Sequence, residues 1–255
     1  AAIGNLVSSD TLLLYILAAG RMSIGTLALW ACSALGAVGQ VDVPPWTTLT
    51  LPQGEMQVRD FGPREGPLVV AIHGAKRTTD ILDEWNGVAL ALAGRGFHVI
   101  VPNFHSGPSE LRVGRMNDEA LHGLLLGLAH TYGGKHGRLA VLGKSWGGGM
   151  AAVAGMLKQV VATVLVAPGV KEQSAAKVLG AIKGPVALFW AEDDDIAPFR
   201  RSKALKKYLG GRAVWVPAVK GGHHVLPEYT APIVEFVVQA YAHASPVQES
   251  LPGQR

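Results

Sequence analysis

The sequence is short of cysteine, of charge and of aromatic side chains. Cys32 is the only cysteine in 255 residues, so no intrachain disulfide can form, and redox chemistry does not identify a compartment. Charged residues make up 16% and aromatic residues 7%, against 49% hydrophobic residues. The mean hydropathy of +0.25 is apolar for a soluble domain. No basic run is interleaved with aromatics, the pattern that nucleic-acid binders show, so no nucleic-acid partner is expected despite a net charge of +4. The one basic cluster, Arg200, Arg201, Lys203, Lys206 and Lys207, reads as the solvated face of a helix. There are no internal repeats and no low-complexity tract.

Charge is scarcest near the start. Between Asp10 and Asp42 the only charged residue is Arg21, with apolar blocks on both sides. Arg21, the apolar run Ile24 to Leu35 and the small residues Ala37-Val38-Gly39 follow the three-part order of a signal peptide. Residues 1–41 are therefore expected to be a signal peptide or a membrane anchor, with a docked helical arm as the alternative. A secreted or membrane-attached protein is the matching expectation, and a cytoplasmic one the alternative. Val43-Pro44-Pro45 marks the boundary before a domain spanning 46–244, and 245–255 reads as a disordered tail.

The remaining length suffices for one α/β domain with a substantial core. Trp46 to Leu51 and Met56 to Phe61 flank Pro52-Gln53-Gly54-Glu55, which predicts an antiparallel hairpin. Apolar runs then recur at Leu68 to Ile72, His98 to Pro102, Leu139 to Leu142, Val161 to Val166, Val186 to Trp190 and Ala213 to Val216. Continuous rather than alternating apolarity is what strands of a parallel sheet carry when both faces are covered. Between them lie helical patterns at 81–93, 117–132, 148–160, 173–181, 198–209 and 231–244. This alternation predicts a doubly wound, mostly parallel sheet of about eight strands with helices on both faces. Right-handed crossovers would put the loops after the strand ends on one rim, where ligands bind.

One of those loops carries the strongest signal. The run Leu139 to Leu142 ends in Gly143-Lys144-Ser145-Trp146-Gly147 and continues into a small-residue helix. Strand, sharp turn and helix in that order lift a serine hydroxyl into the open on a strained bend. With 32 glycines in the chain, G-x-S-x-G spacing alone carries little, so context decides. The rival reading takes Gly143-Lys144-Ser145 as the tail of a phosphate-binding loop, G-x-x-x-x-G-K-[ST]. It fails because its first glycine would have to be Arg138, and because its loop would fall on a strand. Ser145 is therefore the candidate nucleophile.

The other strand ends supply partners. His73-Gly74-Ala75-Lys76, Asn103-Phe104-His105-Ser106, Glu192-Asp193-Asp194-Asp195 and Gly221-Gly222-His223-His224 each follow a predicted strand. Serine, acid and histidine thus come in the order found in α/β-hydrolases. From about Trp46 to Ala244 the chain resembles the α/β-hydrolase superfamily. The resemblance rests on His73-Gly74, Gly143-x-Ser145-x-Gly147, Asp194 to Pro198, and Gly222-His223. His73-Gly74-x-Lys76 with Trp85 is similar to the small lidless members. In that family the acid commonly stands four residues before a proline, which points to Asp194, and the histidine follows a glycine, which points to His223. Asp193, Asp195 and His224 stay open as alternatives. Asn103 stands where the family usually has aspartate, a departure that leaves the Ser–acid–His set untouched.

The resemblance implies a serine hydrolase that cleaves a small carboxylic ester or thioester through an acyl-serine, without cofactor or metal and as a monomer. His223 would act as base and Asp194 would orient it. The N–H groups of Trp146 and Ala75 (or Lys76) would form the oxyanion hole. Lys76, Lys144 and His105 are candidate substrate contacts beside Ser145, against plainer readings as solvated or packing side chains. His73 reads as a structural brace. Transfer of the acyl group to another acceptor uses the same residues, and a non-catalytic binding module on this fold is the third reading.

Overall fold

A computed structural model describes residues 42–133, 137–218 and 220–244. The N-terminal segment 1–41 and the tail 245–255, with the expectations made for them, lie outside the described residues. No helix among the described residues is long and apolar enough to cross a membrane.

The predicted hairpin is β1 (Thr47–Leu51) and β2 (Gly54–Phe61), paired antiparallel with Thr47 opposite Val58. The parallel part follows as β3 (Leu68–Ile72), β4 (His98–Pro102), β5 (Leu139–Lys144), β6 (Val160–Val166), β7 (Val186–Ala191) and β8 (Ala213–Ala218). The eight strands form one sheet in the order β1-β2-β4-β3-β5-β6-β7-β8. Only the β1–β2 and β2–β4 pairings are antiparallel. The helices are α1 (Thr79–Asp83), α2 (Asn86–Ala93), α3 (Asp118–Tyr132), α4 (Trp146–Ala154), α5 (Glu172–Ala181), α6 (Arg200–Leu209) and α7 (Thr230–His243). Only α5 stands between β6 and β7, so this connection holds no lid.

The apolar runs explain the layering. Successive strand side chains point to opposite faces. Leu68, Val70 and Ile72 of β3 pack with Leu121, Leu125 and Leu128 of α3 and with residues of α4, α5 and α6. Val69 and Ala71 pack on the other face with Trp85, Val88 and Leu92 around α2 and with Ile233 and Val237 of α7. All five residues of β3 are buried, as are all six of β7. Each large aliphatic side chain so buried contributes about 1.5–3 kcal/mol. Asn117 caps α3 by accepting the Ala120 N–H at 2.8 Å.

The helix predicted over 81–93 is broken. It ends as α1 at Asp83 and restarts as α2 at Asn86. The fully buried Trp85 donates its indole N–H to the Ile72 carbonyl at 3.1 Å, and Glu84 accepts the Gly74 N–H at 2.9 Å. Both side chains hold the junction onto the end of β3, and local periodicity does not record that demand. The helix predicted to reach 160 stops at Ala154, with Gly155 as its C-cap, and a Cβ at Gly155 would lie 2.6 Å from Thr163 Oγ1.

Candidate active site

Ser145 sits between β5 and α4 with φ 56° and ψ −119°, a conformation rare outside glycine. Such strain costs on the order of 1–3 kcal/mol and persists only where the surroundings over-determine it. Here they do. The Ser145 N–H donates to the Val166 carbonyl at 2.9 Å, and the Ser145 carbonyl accepts from Gly149 at 3.1 Å and Gly169 at 2.6 Å. Two glycines of the motif are sterically required. A Cβ at Gly143 would fall 2.1 Å from the Gly147 carbonyl oxygen, and one at Gly147 would fall 2.3 Å from that of Ile72. Helix, elbow and β3 therefore meet at backbone distance.

β7 and β8 place the acid and the histidine. Asp194, just past β7, is 5% exposed. Its Oδ2 accepts from His223 Nδ1 at 2.7 Å, and its Oδ1 accepts the N–H groups of Ile196 at 3.0 Å and Ala197 at 2.7 Å. These bonds fix the carboxylate with one oxygen aimed at one ring nitrogen. Asp193 accepts the N–H groups of Gly221 and Gly222 at 3.2 and 2.8 Å, which ties down the loop that carries His223. Asp195 and His224 are exposed. Because Nδ1 donates to Asp194, the His223 lone pair is on Nε2, a buried atom with no hydrogen-bond partner among the described residues. Burial lowers the His223 pKa from its ordinary 6.5 against the opposite pull of Asp194, with Lys144 and His224 adding to the lowering. The imidazole is thus a neutral base at neutral pH.

Gly74, Ala75 and Lys76 follow β3. Ala75 and Lys76 are exposed. Among the described residues no hydrogen-bond acceptor takes the N–H of Ala75 or of Trp146. A Cβ on Gly169 would lie 3.3 Å from the Trp146 nitrogen, so a glycine there keeps the space beside that N–H open. His73 is fully buried and uses both ring nitrogens. Its Nε2 accepts from the Phe104 N–H at 3.0 Å, so its Nδ1 donates to the Gly74 carbonyl at 2.6 Å. Burial pushes its pKa down to about 4, which suits a neutral brace between two rim loops. His105, half-buried, stacks on His73 at 5.1 Å. Trp146 packs edge-on against Phe104 at 5.7 Å.

Lys144 is not where the sequence places it. Instead of lining a pocket mouth it is 1% exposed, with its ammonium 3.1 Å from Glu84 Oε2. A cation this deep requires a counter-charge, and Glu84 provides it. Burial raises the Glu84 pKa, with Lys144 pulling the other way. Glu84 is the residue that sequence reading missed. It lies on an expected helix 60 positions from Lys144, and only its place just before Trp85 could have drawn notice.

No family model and no curated protein matches the sequence. Solved structures do match in shape. The chain is similar to a predicted CIB-like hydrolase from Thermoplasma acidophilum at 17% identity, covering 78% of this chain and 98% of that one, with a TM-score of 0.63. It is similar to the esterase domain of a Rhodothermus marinus protein at 16% identity, over 79% and 98% of the chains, with a TM-score of 0.60. The thioesterase domain from the curacin biosynthetic pathway matches at 12% identity, over 78% and 100%, with a TM-score of 0.60.

Proposed function

We propose that this chain, which has the α/β-hydrolase fold, is a serine hydrolase acting on small carboxylic esters or thioesters. The observation that carries the reading is the buried Asp194–His223 pair, whose Nε2 bonds to none of the described residues, on the rim where Ser145 stands on a strained elbow. His223 Nε2 takes the proton of Ser145 as its Oγ bonds to the substrate carbonyl carbon. The N–H groups of Ala75 and Trp146 receive the developing oxyanion. The tetrahedral adduct collapses to an acyl-serine, and His223 returns the proton to the departing alcohol or thiol. Water, deprotonated by the same Nε2, then attacks the acyl carbon. A second collapse releases the carboxylic acid and restores Ser145. Asp194 stabilises the imidazolium formed in each half.

The exposed Ala75–Lys76 loop and the lack of a lid between β6 and β7 favour small or exposed acyl groups. Names of structural neighbours that include esterase and thioesterase support the same bond class. An acceptor other than water would turn the same steps into acyl transfer. The test is labelling by a serine-directed fluorophosphonate. The wild-type chain is expected to take up one label and Ser145→Ala none. An unlabelled wild type, or equal labelling of the variant, overturns the reading.

A further inference from the structure

The buried pair Lys144–Glu84 has no part in the steps above, yet it joins the two backbone segments that those steps need aligned. Lys144 ends β5 and precedes Ser145 directly. Glu84 lies at the α1–α2 junction and reaches the β3–α1 loop. Its Oε2 is 3.1 Å from Lys144 Nζ, and its Oε1 accepts the Gly74 N–H at 2.9 Å. The side chains are 2% and 4% exposed. A Cβ on Gly74 would lie 3.3 Å from Nζ, so the ammonium packs against the peptide leading to Ala75. One end of the pair thus adjoins the Trp146 side of the oxyanion hole, and the other holds the residue before Ala75.

Stability alone does not account for such a pair. Burying two charges carries a desolvation cost, and well-packed apolar replacements are often neutral or stabilising. An ion pair combined with one hydrogen bond from a peptide N–H fixes distance and direction, which apolar contacts lack.

We infer that Lys144 and Glu84 are positioning residues that set the Ala75 N–H in register with the Ser145 elbow. The inference rests on the serine-hydrolase reading. Holding a transition-state donor within a fraction of an ångström matters, because a misplacement of about 1 Å can cost roughly 10²-fold in rate. Loss of the pair should therefore reduce turnover and leave substrate affinity nearly unchanged.

The deciding variants remove the pair without leaving a buried charge. Glu84→Met combined with Lys144→Met takes away both the salt bridge and the acceptor for Gly74. Glu84→Gln combined with Lys144→Met restores that acceptor alone. The first double variant is expected to lose about 10- to 100-fold in kcat on a short acyl ester, with KM within about twofold of wild type. The second is expected to regain most of that loss. Amide exchange at residues 74–77, which needs no catalysis, is expected to speed up in the first variant and to return towards wild type in the second. Wild-type kcat in the first variant, a change confined to KM, no recovery with glutamine, or loss of the folded state each overturns the inference. If wild type itself takes no fluorophosphonate label, the functional reading falls, while exchange at 74–77 still reports whether the pair holds the loop.

Discussion

On the proposed mechanism His223 is the base, and its surroundings give it a definite pH signature. The base works only when neutral. Burial holds its pKa below the ordinary 6.5, although Asp194 pulls upward. Half-protonation is therefore reached only below pH 6.5. On the proposed mechanism, kcat/KM should fall with a midpoint below 6.5, and about tenfold per unit well below that midpoint. A steady-state profile on a neutral ester checks this, and a midpoint above 6.5 would contradict it. His73 does not contribute a second limb near neutrality, since its own pKa is pushed down to about 4. Its two ring nitrogens are already committed to Gly74 and Phe104.

At the scale of elements, the elbow depends on three backbones approaching closely, and Gly147 is where β3 and α4 meet. A Cβ there would sit 2.3 Å from the Ile72 carbonyl oxygen and 2.5 Å from that of His73. Gly147→Ala must push the end of β3 aside. It should destabilise the fold by about 1–3 kcal/mol, the usual cost of overpacking. Urea unfolding measures this, and an unchanged midpoint would show that strand and helix can part without cost. This part of the fold was legible from the sequence, because glycine spacing and a doubly apolar strand are both local records of burial. The order of strand and helix was legible for the same reason. The break between α1 and α2 was not. Trp85 and Glu84 fit the helical period, and what stops the helix is their bonding to Ile72 and Gly74 on another segment. The position of Lys144 was hidden in the same way. A lysine in a variable place of the motif reads as solvated until its partner, distant in sequence, is seen beneath the loop.

For the whole molecule, the arrangement of the sheet makes a site possible. β3, β5, β6, β7 and β8 run parallel, so the loops after β3, β5, β7 and β8 open on one edge. Residues separated by 29 positions, Asp194 and His223, meet there at 2.7 Å. The alternation of apolar strands and helices along the chain foretold which loops share the rim, because crossover handedness is nearly fixed. It did not foretell the spacing across that rim, which depends on side chains packed between loops. The proposed reaction rests on covalent chemistry at one hydroxyl. The most direct test is to react the intact protein with an activated short-chain ester and to map the acylated peptide by mass spectrometry, with His223→Ala alongside. One acyl group per chain on the peptide containing Ser145, formed in a burst that His223→Ala abolishes, is the predicted result. Acylation spread over lysines, or a burst that survives His223→Ala unchanged, would contradict it.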